Sequence, residues 1–463
     1  MKHHASSLLL ALSFVASAED WPGFRGRNGS GISPGKPVPA EFSFEKNVLW
    51  RAKLGDGVGA PVIVNGRVFS TAMTGEQTCA VFCHDAAKGT LLWKREMPTG
   101  VLPRITPPNS HASSTPAADA ERVYLYFSTL GLIALDASTG SEAWRHELPK
   151  PAFLMDWGAA YSPIVHEGLV YLCQDDDLSP FVIAVDAKTG KQRWKTPRPD
   201  MLAGYAVPVI CEAGGRTDLV IAGTGKMKGY DPATGVERWT CNTLVRTIMV
   251  SPVVHEGIIY IAVQSYGDPT RTLKHALLEW LDTNQDGKLA RAETPKEFHE
   301  RFDLSDKNKN AIIDPDEIDT AFQHPNNMVG GGTGDVTKTH LLWSIDPKSP
   351  SNLSSPLLYN QRLYLVKSGG LSSCYDAKDG KVLWERTRLG NFGDYFASPI
   401  AADGRVFIAG RNGFIVVLAD GPELKVIGKN DMGEEIIATP AIADGRIFVR
   451  TRESLICVSD EAK

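Results

Sequence analysis

The sequence predicts an all-β fold, an eight-bladed β-propeller of four-stranded blades, and three observations predict it. Short apolar segments led by proline recur at Pro61, Pro116, Pro163, Pro208, Pro252, Pro356, Pro399 and Pro440, spaced 41–55 residues apart except for one step of 104. A fixed period of this length marks a propeller or a related repeat array. Between the prolines, stretches such as "RVYLYFS" and "GRLYLVK" alternate with period two, which excludes a helical solenoid. Finally, Trp50, Trp93, Trp144, Trp194, Trp239, Trp343 and Trp384 stand at one repeated place, where a large flat side chain fits a wedge between neighbouring sheets.

Each period supplies its strands in the same order. A Pro-led strand is followed by a glycine turn and a second strand, then a third that ends in a D-x-x-x-G turn, and a last one that carries the tryptophan. The turn occurs at Asp85/Gly89, Asp136/Gly140, Asp186/Gly190, Asp231/Gly235 and Asp376/Gly380. Asp bonds its own backbone and Gly takes positive φ there, which is hairpin chemistry. The last period ends at "SLICVSDEAK" without a closing strand, whereas "NVLWRAKLG" precedes the first Pro-led segment. The amino-terminal strand is therefore expected to complete the eighth blade and cover two open edges.

Residues 1–18 read as a secretory signal: a cationic start, an apolar run from Leu8 to Val15, and Ala16 and Ala18 ahead of Glu19. The run is shorter than the roughly 20 apolar residues of a spanning helix. The chain is thus expected in the periplasm or outside the cell, with the propeller over 19–266 and 333–463. The net charge of -5 offers no basic field for nucleic acid. Three of the seven cysteines, Cys83, Cys374 and Cys457, share one repeat position where other repeats place Ala, which suits a small buried hydrophobe.

The long step holds an insert over residues 267–332, within blade five. In "DTNQDGKLARAE", Asp282, Asn284, Asp286, the Lys288 carbonyl and Glu293 stand at the oxygen-ligand positions of a twelve-residue calcium loop, with Gly287 at its sharp turn. A second loop, "DKNKNAIIDPDE", offers Asp306, Asn308, Asn310, the Ile312 carbonyl, Asp314 and Glu317. Its turn position is Ala311, where positive φ costs a Cβ-bearing residue about 1 kcal/mol, so one strong and one weaker Ca²⁺ site are expected. Leu289 and Ile313 suit the short bridge between paired loops. Leu273, Leu277, Trp280 and Leu281 ahead of the first loop, and Phe298 and Phe302 between the two, suit helical faces of an EF-hand pair. The expected role of the ion is a structural clip.

The pattern "SP...G.VY......ALDA.TG...W" resembles the PQQ-type propeller repeat shared by quinoprotein alcohol dehydrogenases and the outer-membrane assembly lipoprotein B. The opening "WPGFRGRNGSG" and the segment "GDVTKTHLLW" look like exported PQQ-like propeller proteins of planctomycetes. The resemblance covers nearly all of the chain outside the insert and implies the fold more than an activity. Dehydrogenases with this repeat carry a vicinal Cys-Cys pair over the quinone, which this chain lacks. Neither H-E-x-x-H nor G-x-S-x-G occurs. No catalytic residue is assigned, and PQQ is not expected as a cofactor. The reading is a binding or assembly platform for a protein, small molecule or saccharide at one propeller face; a quinone-dependent oxidoreductase acting on alcohols or sugars is the alternative. Oligomeric state is not legible. The acidic run Asp175, Asp176 and Asp177 is expected at a solvated loop tip. Asp56, His111, Gly158, Ala203, Thr247, Ser351, Asp394 and Glu435, each five residues before a repeat proline, are expected to ring one mouth of the channel beside Trp157 and Tyr395.

Overall fold

The computed structural model describes residues 19–462 apart from 154–155, 202, 243–248, 263–277, 279–280, 297–298, 319–333, 338, 346–352 and 391–392. The proposed signal, Thr247, Ser351, Leu273, Leu277, Trp280 and Phe298 lie outside the described residues. The chain is an all-β propeller of four-stranded antiparallel blades whose innermost strands are the Pro-led segments. Blade one runs from Val62–Val64 to Leu91–Pro98, and the next three follow in chain order.

The expectation of eight four-stranded blades is corrected. Among the described residues seven sheets have four or five strands, and the fifth place is held by a two-stranded sheet, Val253–His255 with Ile258–Tyr260. The residues that follow the second strand, 263–277, lie outside the described residues. The inner strand of the pair still touches the inner strands on either side, Val209–Ala213 and Leu357–Tyr359, and the ring is continuous along its axis. An EF-hand helix pair is likewise not evident. Among the described residues, α-helix occurs at Leu278 and Leu281 just before the first loop and in the short segments His299–Ser305 and Pro315–Ile318.

Closure follows the sequence reading. Val48–Lys53 pairs antiparallel with Ser454–Val458 as the outermost strand of the last blade, Val48 opposite Val458 and Lys53 opposite Ser454. Its Trp50 reaches across to blade one, where Nε1 donates to the Ala86 carbonyl at 3.0 Å. The same contact recurs around the ring: Trp93 donates to Ala137, Trp144 to Ala187, Trp194 to Pro232 and Trp343 to Ala377, at 2.9–3.1 Å. In every case the acceptor follows the turn Asp of the next blade, and the turn glycine lies under the indole. Trp239 and Trp384 depart from the pattern: Trp239 donates to Asp218 of its own blade, and the buried Trp384 Nε1 has no hydrogen-bond partner in the protein.

The turn glycines are required twice over, by φ and by the indole. Gly140 has φ +71° and a Cβ there would stand 2.6 Å from Trp93 Cε3; Gly66 has the same φ with open space around it. Gly66→Ala is expected to cost about 1–2 kcal/mol from the backbone alone. Gly140→Ala should cost about 1–3 kcal/mol more, because the indole must be displaced. Urea unfolding of the two variants measures the difference, and equal losses would remove the wedge contact from the account of inter-blade stability.

Candidate functional site: a blind cup on the propeller axis

The segment from Trp21 to Ser33 does not pack on the outside of the ring. Trp21 forms a two-bond bridge with Ile63 of blade one, and the Pro22 carbonyl accepts from Ala118 N of blade two at 2.8 Å. Asn28 pairs reciprocally with the Ile210 backbone of blade four at 2.7 Å. Arg25 Nη2 donates to the Pro356 carbonyl of blade six at 2.6 Å, and Ile32–Ser33 adds a parallel strand to the inner edge of blade seven. These partners all belong to, or begin, innermost strands, so the segment stretches across one end of the channel and stops it. Arg25 is fully buried, and desolvation pulls its guanidinium down to about 9.

Above this plug the axis holds a cavity of about 350 Å³ floored by Phe24. Two layers form its wall, because residues two apart on an extended strand face the same way. The lower layer is the residue before each repeat proline: Ala60, Thr115, Ser162, Val207, Ser251, Ser355, Ser398 and Thr439. These residues are stitched blade to blade. Each of the amides of Ala60, Thr115, Val207, Ser251, Ser355 and Ser398 donates to the hydroxyl of the next residue round the ring, at 2.8–3.0 Å. The belt has two gaps, where Val207 and Ala60 bring no hydroxyl to the amides of Ser162 and Thr439. The upper layer, two residues earlier, is mainly apolar and includes Val58, Tyr205, Met249, Leu353, Phe396 and Ile437.

A strap of residues 104–111 crosses part of the mouth. Thr106 N donates to the Asp156 carbonyl at 2.6 Å and Asn109 Nδ2 to the Trp157 carbonyl at 2.6 Å. On the other side Ser110 Oγ donates to Asp56 Oδ2 at 2.6 Å, and Arg452 reaches the carbonyls of Pro108 and Asn109. The structure brings Asp56, Asp394 and Glu435 of the expected mouth together, but two arginines that the sequence reading missed lie between them. Arg411 Nε stands 2.6 Å from Glu435 and its Nη1 3.6 Å from Asp394, while Arg452 Nε is 2.5 Å from Asp56. These rim carboxylates are already paired.

The solvated-tip reading of Asp175, Asp176 and Asp177 is corrected: all three are buried. Asp175 takes a bidentate pair from the fully buried Arg198, Nε to Oδ1 at 2.7 Å and Nη2 to Oδ2 at 2.9 Å. Asp176 accepts from the amides of Leu178 and Ser179; burial nevertheless raises its carboxyl above the usual range, against those bonds. Arg198 lies two strands further along the chain, so the run alone does not announce its partner. Cys83, Cys374 and Cys457 are buried and free as expected, and desolvation pushes the Cys83 thiol up to about 12.

In the insert the two loops share their main turn bonds. Asp282 accepts from the amides of Asp286 and Gly287, and Asp306 from those of Asn310 and Ala311, at 2.8–3.2 Å. Glu293 accepts from Thr283, Asn284 and Ala290, and Glu317 from Lys307, Asn308 and Asp314. Gly287 has φ +79° and Ala311 φ +62°, so the second loop adopts the turn with an unsuitable residue. Leu289 and Ala290 pair with Ile313 and Ile312 between the loops. Asn284, Asp286, Lys288, Asn308, Asn310, Ile312 and Asp314 lie on these same two turns. Among the described residues no three His, Cys, Asp or Glu side chains form a ready-made metal cluster.

Replacing one partner of the buried pair tests the corrected site. Asp175→Asn leaves the Arg198 charge uncompensated and is expected to cost about 3–5 kcal/mol in chemical denaturation. A change within about 0.5 kcal/mol, the usual range for an exposed position, would restore the solvated-tip reading.

Among known proteins, the outer membrane protein assembly factor BamB of Yersinia pestis is 21% identical over 398 residues, covering 82% of this chain and 90% of the relative. A polyvinylalcohol dehydrogenase of Pseudomonas sp. is 24% identical over 200 residues, which is 39% of this chain and 29% of that enzyme. In fold, the chain is similar to the crystal structure of BamB from Moraxella catarrhalis, with a TM-score of 0.55, 14% identity, and coverage of 90% of this chain and 98% of that one. The profile of one family, described as outer membrane protein assembly factor BamB, matches residues 43–152 and 79–308, more than half of the sequence. The chain belongs to that family of PQQ-like propellers.

Proposed function

We propose that this chain is an exported, calcium-loaded propeller that binds a ligand or partner without transforming it. The observation that carries the reading is the composition of the cup: among its described lining residues there is no carboxylate, imidazole, thiol, lysine or arginine. A wall of hydroxyls, amides and apolar groups orients a guest, and its described residues include no base beside a hydroxyl to activate it as a nucleophile. The kinship with outer membrane protein assembly factors supports a platform role, in which the rim and strap face a partner. Among the described residues no helix is long and apolar enough to cross a membrane.

The alternative, a quinone-dependent oxidoreductase, draws on the dehydrogenase that matches part of the chain. PQQ is a tricarboxylate, and the described wall of the cup offers it no cation, so the residues present do not fit it. Incubation with PQQ and calcium is expected to leave no bound chromophore and no alcohol-dependent dye reduction. A stoichiometric chromophore with turnover would replace the platform by the enzyme.

The insert residues do fit calcium. Asp282, Asn284, Asp286, the Lys288 carbonyl and Glu293 are hard oxygen donors on a loop whose first and last carboxylates hold its turn amides, and the second loop offers the same donor types through Asp306, Asn308, Asn310, the Ile312 carbonyl, Asp314 and Glu317. A bound ion would supply the positive charge that these loop carboxylates lack, and would fasten the insert. Chelation is expected to open residues 267–332 to limited proteolysis while the propeller melts as before; identical digestion with and without calcium would sink the clip. Ala311→Gly removes backbone strain of about 1 kcal/mol and should tighten the weaker site roughly fivefold in calcium titration calorimetry.

A further inference from the structure

The cup carries an inference about the chemistry of its guest, which rests on reading this cavity as the binding site. We infer that it takes an uncharged, oxygen-rich ring, a neutral saccharide of one or two residues, held on the axis between Phe24 and the strap.

Three features select this class. The first is size: about 350 Å³ lies at the low end of cavities that bind small molecules and is too small for a folded segment. The second is charge. The described lining bears none, and the charged groups of the rim, Arg452 with Asp56 and Arg411 with Glu435, are committed to each other. A charged guest would be desolvated without a counter-charge, which is costly. The third is the arrangement of polar and apolar groups. In the lower layer each belt hydroxyl accepts one amide and keeps a hydrogen to donate. At the two gaps, the amides of Ser162 and Thr439 meet no hydroxyl. The wall therefore offers donors, and the complementary guest presents acceptor oxygens around its circumference. In the upper layer Tyr205 and Phe396 line the same cavity as Trp157 and give it aromatic surface for the C–H groups of a ring, with Tyr205 held in place by stacking on Phe153 and Tyr161. The Tyr205 hydroxyl is buried and has no hydrogen-bond partner in the protein. A saccharide ring combines hydroxyl oxygens at its edge with C–H groups on its faces, and so meets both layers at once.

A charge-matched panel tests this. Glucose and maltose are titrated into the calcium-loaded full chain by calorimetry, beside glucuronate and glucosamine, which have the glucose ring with one negative or one positive charge. A saturable heat for a neutral sugar, with the charged analogues at least roughly tenfold weaker, is the expected result. Leu353→Trp, which fills the cup from its upper layer, and Trp157→Ala should both abolish the heat while the thermal melt stays that of the parent. No binding of either neutral sugar, tighter binding of glucuronate or glucosamine, or binding that survives Leu353→Trp overturns the inference. Calcium-dependent proteolysis of the insert and the quinone assay read the proposed function separately, so a failed panel leaves those results standing.

Discussion

The ring depends on one contact made again and again, an indole from the closing strand of one blade laid on the glycine turn of the next. The turn is prepared for it by Asp. In the second blade Asp136 accepts from the amides of Ser138 and Thr139 while Gly140 N closes back on the Asp136 carbonyl, leaving the Ala137 carbonyl free for Trp93 Nε1. Each of the residue types is needed: Asp to fold the turn, Gly to enter positive φ and clear the ring, Trp to fill the wedge and pair its one polar atom. Burial of so large a side chain is worth about 3–5 kcal/mol when truncated, and the contact also sets the angle between sheets. Closure uses no new chemistry, since Trp50 does for the last and first blades what Trp93 does for the first and second.

The propeller was legible because its determinants are local and periodic. Proline spacing, strand alternation, the Asp and Gly of each turn and the position of each tryptophan are all visible without knowing what touches what. The plug was not. "WPGFRGRNGSG" has no period, and its contacts run from Asn28 to Ile210 and from Arg25 to Pro356, across most of the chain. Asp175 failed for the same reason, since a buried carboxylate is tolerated only through a partner that its own neighbourhood in sequence does not contain. The rim shows the limit from the other side: among the described residues, Asp56, Asp394 and Glu435 of the column five before each proline do share a mouth, but Arg411 and Arg452 come from hairpin turns further along the chain and change its chemistry from acidic to paired.

The belt was legible in principle. Every repeat proline is preceded by a small or β-branched residue, and six of the eight carry a hydroxyl. Read as strand propensity this is unremarkable. Its meaning appears only with the ring, because an amide at the inner end of one blade can be satisfied by a side chain of the next just where no further strand exists to pair with it. The hydroxyl belt is thus first a solution to unpaired backbone, and the chemistry of the cup is a consequence of it.

That order of causes explains how an insert can be carried at blade five without opening the ring. The outer part of a blade contributes wedge packing, but continuity on the axis needs only its inner strand and the belt residue before it. Ser251 keeps both of its bonds, accepting from Val207 N at 2.8 Å and donating its own amide to Ser355 Oγ at 2.9 Å. After the insert the chain returns in time to place Trp343 against Ala377 and Gly380 of the sixth blade. The inner edge and the outgoing tryptophan are kept, and the region between them is where a separate module is tolerated. An insert between belt and inner strand, by contrast, would cut the hydrogen-bonded circle and open the wall of the cup.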